Sequence, residues 1–352
     1  MKVLVAPDSF KECLSAKEVA KHISKGILSV SPDAEVCQIP ISDGGEGLLD
    51  ALMQGIGGVL NPAMVKDPLL RDIQANFGIL KDGTAVIEMA KASGLELLSD
   101  VEKNPMITST FGTGELIKAA LNKGCKEILI GIGGSATNDA GAGMLRALGC
   151  KFLDANGNEL KDGGGYLGDL VKIDLKNLDK RLKRCKIKVA CDVDNPLTGV
   201  NGASYIYGAQ KGATPAQINL LDNNLKHFAQ IVKQQLNVDV EKLSGGGAAG
   251  GIGAGLSVFL NAELISGIDL ILDALKIEEH IKKADVVFTG EGKVDLQTLN
   301  GKTISGIAKI AKKYNVPVIV LAGDVSEDVS EDIDALNDLD VSTIHQITDS
   351  GT

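Results

Sequence analysis

Residues 127–149 read EILIGIGGSATNDAGAGMLRALG. Ile128–Ile130 is a short apolar run of β type, Gly131, Gly133 and Gly134 follow as a turn, and Ala140, Met144, Leu145 and Leu148 recur at helical spacing up to Gly149. Strand, glycine turn and helix form the unit that aims backbone N–H groups and the positive end of a helix at an anion. Ser135, Thr137, Asn138 and Asp139 are expected in the first turn of that helix, where polar side chains can face a ligand. A tight turn with a capped helix and no ligand gives the same letters, because Gly-rich βα turns also serve packing alone. Gly131-x-Gly133-x-x-Ala136 matches the dinucleotide fingerprint as well, with Asp154 near the offset of a ribose-binding acid. Asp154, however, stands in LDANGNEL, where Asn156-Gly157 signals a hairpin and not the second parallel strand of a dinucleotide unit.

Outward from this stretch the same alternation continues. Val3–Ala6 is a buried strand candidate, and Ser15 with Glu18 makes a capping box ahead of the stripe Val19, Ile23, Ile27. Val36–Ile41 is a second strand, leading through Asp43-Gly-Gly-Glu-Gly47 into a helix. Between Gly57 and Ala90 the texture becomes β-rich, and Asp82-Gly83 marks a hairpin between Phe77–Leu80 and Ala85–Met89. Thr108-Ser-Thr-Phe-Gly-Thr113 enters a helix, where its hydroxyls suit either phosphate contact or capping. Lys186–Ala190 is a strand followed by Asp192-Val-Asp194-Asn-Pro196, and Thr214, Pro215 and Gln217 begin a long helix through Leu236. The Gly-rich run 244–255 is expected as a loop packed closely on something, such as a nucleotide. Ala284–Phe288 is a strand with Gly290–Asp295 as the loop after it, and Val316–Ala322 is another strand. Gly301-Lys302-Thr303 is not the end of a P-loop, because Leu296 stands where the first glycine is required.

Composition narrows the function. The 352 residues suffice for two domains. Aromatics make up 3% with no Trp, and the formal net charge is −10, which argues against a base-stacking platform and against nucleic acid or an anionic membrane surface as partner. The six cysteines include no CxxC pair and read as reduced cytoplasmic thiols, and none of the four histidines has metal-ligand spacing. No apolar run approaches a transmembrane length.

In a parallel sheet with right-handed crossovers the loops after the strands converge on one crevice. Here those loops carry Asp8, Lys11, Asp43, Glu46, the Gly133–Ser135 turn, Asp192, Asp194, Glu291, Lys293 and Asp295. Carboxylates for a cation, lysines for phosphate oxygens and glycine N–H groups to cradle them suit Mg-nucleotide better than a bare anion.

APDSFK at Ala6–Lys11, DGGEG at Asp43–Gly47, FGTGELI at Phe111–Ile117, GIGGSATNDAGAGML at Gly131–Leu145, ACDVDNPLTG at Ala190–Gly199, AQKGAT at Ala209–Thr214 and TGEGKVD at Thr289–Asp295 resemble, in that order, the bacterial type-1 glycerate kinase family. They span nearly the whole chain. The resemblance implies ATP-dependent phosphorylation of D-glycerate, with 2-phosphoglycerate as the product. It also implies two α/β domains: one Rossmann/flavodoxin-like with a mainly parallel sheet (residues 1–65 with 285–352), the other mixed α/β (residues 66–284). Ala209 stands where the family usually has proline, and the chain stops at Thr352, where the resemblance implies one further helix. On this reading Asp192 is the base and Lys293 contacts the transferring phosphate. Asp8, Ser9, Lys11 and Arg71 bind glycerate. Gly133, Gly134, Ser135, Gly245, Gly246, Gly290 and Gly292 serve ATP, and Asp43, Asp194 and Asp295 hold Mg2+. The enzyme is expected in the cytoplasm as a monomer or homodimer. The alternatives are an NAD-dependent oxidoreductase using the Gly131–Ala136 turn, and a nucleotide-sensing protein without turnover.

Overall fold

The computed structural model describes residues 1–10, 13–41, 47–294, 303–326 and 341–347. The strands are β1 Lys2–Val5, β2 Glu35–Gln38, β3 Gly58–Lys66, β4 Asp72–Leu80, β5 Ala85–Glu88, β6 Glu127–Gly131, β7 Lys151–Leu153, β8 Lys172–Asp174, β9 Lys186–Ala190, β10 Glu263–Ile265, β11 Val286–Val294, β12 Val318–Val325 and β13 Val341–Gln346. The chain divides into two compact units, Met1–Gly57 with Ser266–Thr352, and Gly58–Ile265. These limits differ from the expected 65/66 and 284/285. β3 belongs to the central unit because it pairs with β4 along its whole length. Helices Gly267–Ala274 and Ile277–Ile281 belong to the terminal unit, where both pack on helix Thr303–Lys313.

The terminal unit holds an all-parallel sheet in the order β13-β12-β11-β1-β2, which counted within the unit is 2-1-3-4-5, the flavodoxin-like order. Val3, Leu4 and Val5 are all buried, as a strand covered on both faces requires. The Ser15–Glu18 capping box starts helix Ala16–Val30 as expected. β11 departs from expectation. It does not end at Phe288 but runs through Gly290-Glu291-Gly292-Lys293, paired with β12 as far as Val294↔Val325. Its glycines are strand glycines: a Cβ on Gly290 would lie 2.0 Å from the Leu321 carbonyl oxygen, and one on Gly323 would lie 2.4 Å from that of Gly292.

The central unit holds a mixed sheet, β10-β9-β6-β5-β4-β3, parallel from β10 to β5 and antiparallel from β5 to β3. The Asp82-Gly83 hairpin lies between β4 and β5, with Gly83 at φ +89° and the Asp82 carboxylate accepting from Thr84 N–H. β7 and β8 form a separate antiparallel pair. Asp154 sits in the turn after β7 and accepts from the N–H groups of Asn156 and Asn158, so the oxidoreductase reading loses its ribose acid. Phe152 of β7, Phe228 of helix Pro215–Leu236 and Phe259 of helix Ala248–Leu260 pack as a triangle with ring centroids 6.3–6.4 Å apart. Such pairs are each worth roughly 0.5–1.5 kcal/mol beyond their area, and this triangle fixes the helix whose first residues border the cavity described below. Among the described residues no helix is long and apolar enough to cross a membrane.

The Gly-rich run before Phe259 is packed closely, but on protein. Ala249, Gly250 and Gly251 all take left-handed φ, and the Gly250 carbonyl accepts from Ala140 N–H. A Cβ on Gly250 would stand 1.9 Å from the Thr137 carbonyl oxygen, whereas one on Gly83 would meet nothing within 4 Å. Both glycines share the left-handed strain, so alanine at either position isolates the clash. Gly83→Ala is expected to lower stability by about 1 kcal/mol, and Gly250→Ala by at least about 1–3 kcal/mol more, the scale of overpacking. Equal losses in urea unfolding would contradict the packing role of Gly250.

Candidate active site

β6 and β9 are parallel neighbours, with Gly131 beside Ala190. The chain leaves β6 as Ile132-Gly133-Gly134-Ser135 and leaves β9 as Cys191-Asp192-Val193. Between these two exits, closed by Tyr207, Lys211, Ala248 and Ala249, lies a cavity of about 220 Å³. All of its walls come from the central unit.

The glycine turn falls where it is expected, at Gly133 and Gly134, but the helix does not follow it directly. Gly134 takes φ +73°, and the segment that follows the turn bonds to residues 93–95, through Leu95 N–H to the Gly134 carbonyl and Ala136 N–H to the Ser93 carbonyl. The helix begins only at Ala142 and ends at Ala147. Ser135, Thr137, Asn138 and Asp139 are therefore not a helical first turn. The physical reason lies at Ala140 and Gly141, whose φ values of +52° and +75° put a left-handed break before the helix. Asp139 stabilises that break: its buried carboxylate accepts from Gly141 N–H, Gly143 N–H, Thr110 N–H and Thr110 Oγ1. Burial pushes its pKa up and these four donors pull the other way. The hydroxyls of 108–113 are accounted for in the same way. Thr108 Oγ1 donates to the Ala136 carbonyl, Thr110 bonds Asp139, and Thr113 pairs with Ser93, so this stretch braces the turn and presents none of these hydroxyls to phosphate.

Lys211 was given no role by the sequence, although it lies within the AQKGAT stretch. It closes a 3-10 turn, Ala209–Lys211, and Gly212 follows at φ +90°, where a Cβ would lie 2.2 Å from the Lys103 carbonyl oxygen. The Lys211 amine is buried at the cavity wall and donates to Ser135 Oγ and to the Thr137 carbonyl, each at 2.7 Å. Burial lowers its pKa from 10.5 to about 7, with Asp139 opposing. Tyr207 Oη donates to Asn195 Oδ1 at 2.7 Å, tying the turn after β9 to helix Ala203–Tyr207. Cys191 also borders the cavity, but burial raises its thiol pKa and its Sγ donates to the Val193 carbonyl, so it is no nucleophile. All six cysteines are free.

Of the expected site residues, Gly133, Gly134, Ser135 and Asp192 come together on this cavity, and Asp194 follows exposed on the same turn. Gly245 and Gly246 are not on its wall: a Cβ there would meet Cys191 Sγ at 3.0 Å and the Leu243 carbonyl oxygen at 2.8 Å, so packing explains them. Gly290 and Gly292 lie within β11 of the terminal unit. Asp8 is buried just past β1, accepting from Ser9 N–H, Ser9 Oγ and Thr303 Oγ1. Arg71 is tied to Asp67 at 2.5 Å and Glu102 at 2.6 Å and does not reach the cavity wall. Lys293 is largely exposed on β11, 3.9 Å from Asp324. Lys11, Asp43 and Asp295 lie outside the described residues. Among the described residues no three Asp, Glu, His or Cys side chains assemble as a metal cluster.

Residues 3–351 match the glycerate kinase family. The chain is 54% identical to the glycerate 2-kinase of Escherichia coli (strain K12), over 94% of this chain and 87% of that protein. It is 50% identical to the glycerate kinase of Bacillus subtilis (strain 168), over 93% and 86%. The crystal structure of a Salmonella typhimurium LT2 protein assigned as glycerate kinase 2 superposes with a TM-score of 0.86 at 47% identity, covering 97% of this chain and 94% of that one.

The buried lysine makes stability depend on pH. Unfolded, Lys211 keeps its proton to about pH 10.5, and folded it gives the proton up near pH 7, so the unfolded state binds more protons in between. Stability must therefore rise with pH across that window. The expected outcome is a stability difference, parent minus Lys211→Met, that grows by more than about 1 kcal/mol from pH 7 upward. Asp139 is present in both proteins and largely cancels. A flat difference in urea unfolding would contradict the buried, depressed amine.

Proposed function

This chain belongs to the glycerate kinase family and is a phosphotransferase; we propose that it transfers the γ-phosphoryl group of ATP to D-glycerate, giving 2-phosphoglycerate and ADP. The observation that carries the reading is Asp192: a carboxylate directly after β9, on the wall of a cavity it shares with a glycine turn and a buried amine. A kinase needs a carboxylate to orient the attacking hydroxyl and accept its proton. Asp192 takes the proton of the 2-hydroxyl as that oxygen forms its bond to the γ-phosphorus. The bond from that phosphorus to the bridging oxygen breaks, and ADP leaves. Lys293, near the end of β11, is the residue that would neutralise phosphate charge, and Asp194 would help to hold the Mg2+ that accompanies ATP; Asp43 and Asp295, outside the described residues, keep the same expected role. The carboxyl ends of β1 and β11, where the strand order reverses, are where a ligand is expected on a sheet of this order. We read the two units as two domains of a cytoplasmic enzyme, monomer or homodimer, whose partners are small molecules and neither nucleic acid nor membrane.

Asp192→Asn keeps shape and removes basicity. It is expected to fold, to bind ATP and to lose about a hundredfold or more in turnover, the scale of general-base catalysis; turnover near that of the parent would leave Asp192 a turn residue. Lys293→Ala is expected to fold and to lose at least about tenfold in turnover, and near-normal turnover would remove it from the mechanism. Phosphorus NMR of the product should show the 2-phosphate; a 3-phosphate would overturn the stated regiochemistry.

Gly133 separates ligand contact from packing. It has no left-handed φ, and a Cβ there meets nothing within 4 Å, whereas Gly134 sits at φ +73°. Gly133→Ala should keep the melting temperature and raise the KM for D-glycerate about fivefold or more by protruding into open space beside the cavity. Gly134→Ala should lower stability by about 1 kcal/mol. Unchanged kinetics in Gly133→Ala would exclude the turn from ligand contact.

A further inference from the structure

Lys211 is 1% exposed, and both partners of its amine, Ser135 Oγ and the Thr137 carbonyl, are uncharged. Among the described residues it forms no ion pair. Asp139 acts on it only from a distance, with its oxygens already filled by the donors of Thr110, Gly141 and Gly143. An ammonium group has three donors, and two are used here. A buried cation held by neutral partners alone is costly, and an anion brought against it relieves that cost. In the segment whose Thr137 carbonyl accepts from this amine, Thr137 Oγ1 and Asn138 Nδ2 are buried without a hydrogen-bond partner, though neither residue lines the cavity.

We infer that Lys211 and Ser135 bind the carboxylate of the acid substrate in this cavity, so that the wall bearing Asp192 meets the hydroxyl on the adjacent carbon. This rests on glycerate being the acceptor. Three observations favour the acid over a nucleotide phosphate. The cavity, about 220 Å³, is smaller than the roughly 300–1,000 Å³ that drug-sized ligands occupy, and suits a three-carbon acid. Asp192 on the same wall is the group the hydroxyl of the acid requires. Asp8 and Arg71, the residues expected to bind the acid, are engaged within the fold. Burial leaves the amine near pKa 7, so entry of the carboxylate restores its charge and takes up a proton above that pH. The other titratable groups around the amine are Asp139, Asp192, Cys191 and Tyr207; burial pushes the last two up, so both stay protonated near neutrality.

The test is calorimetry on the full chain with D-glycerate and, separately, with ADP. Lys211→Met should weaken D-glycerate about ten- to hundredfold, the worth of a charge-assisted hydrogen bond, and leave ADP within about twofold. Parent protein should take up close to one proton per D-glycerate at about pH 8, read from buffers of different ionisation enthalpy, and Lys211→Met none. Selective loss of ADP, equal loss of both ligands in a folded variant, or no change overturns the inference. If the variant does not fold, the parent decides: uptake at about pH 8 that vanishes at about pH 6 supports the inference, and no uptake at either pH overturns it. Turnover of D-glycerate with Mg·ATP by the parent tests the functional reading separately. A parent that phosphorylates D-glycerate beside an unaffected Lys211→Met sinks the inference alone, and a parent that neither binds nor phosphorylates it sinks both.

Discussion

The buried amine of Lys211 sets the terms for the end of the central sheet. To reach it, Ser135 and Thr137 have to present a hydroxyl and a carbonyl from backbone that is not helical. The segment after the Gly133–Gly134 turn therefore lies against residues 93–95 and turns again at Ala140 and Gly141. That left-handed break is held by Asp139 from inside and by the left-handed run 249–251 from outside, where Gly250 accepts from Ala140 N–H. The phenylalanine triangle then anchors the helix that carries this second run. Each layer secures the one before it, and the cavity is the space left between the exits of β6 and β9.

Glycine does two different jobs around this site. Gly250, Gly251, Gly245 and Gly212 leave out side chains so that backbone or a neighbouring side chain can sit against them within about 3 Å. Gly133 alone of the expected cavity glycines leaves open space without left-handed strain. The richest glycine run, 244–255, is thus a packing device, while the position that leaves open space beside the cavity is a single residue in a shorter run. The distinction matters for function, because only the second kind of glycine shapes what the cavity admits.

Much of the fold was legible in the sequence where local chemistry decides it. β9 falls on Lys186–Ala190 as the apolar run requires, the Thr214–Gln217 box and Pro215 start the long helix, and Asp82-Gly83 makes the hairpin. Two failures have tertiary causes. Helical spacing from Ala140 to Leu148 placed the helix start too early, because spacing does not register a left-handed alanine held by a distant glycine loop. β11 was ended at Phe288 because Gly290 and Gly292 look like loop residues, yet they let β12 approach closely. At the site, Asp192 was legible from its place after a strand, whereas Lys211 was not. A lysine between glutamine and glycine reads as solvent-exposed, and only the three-dimensional packing shows it buried. The AQKGAT stretch marked the place without giving the reason.

The central claim is that the acid binds at the exits of β6 and β9. A crystal structure with D-glycerate and a non-hydrolysable ATP analogue tests it most directly. The carboxylate should lie within hydrogen-bond reach of Lys211 Nζ and Ser135 Oγ, with the 2-hydroxyl toward Asp192. D-glycerate seated instead on Asp8 and Ser9, with the cavity beside Lys211 holding none of it, would contradict the claim.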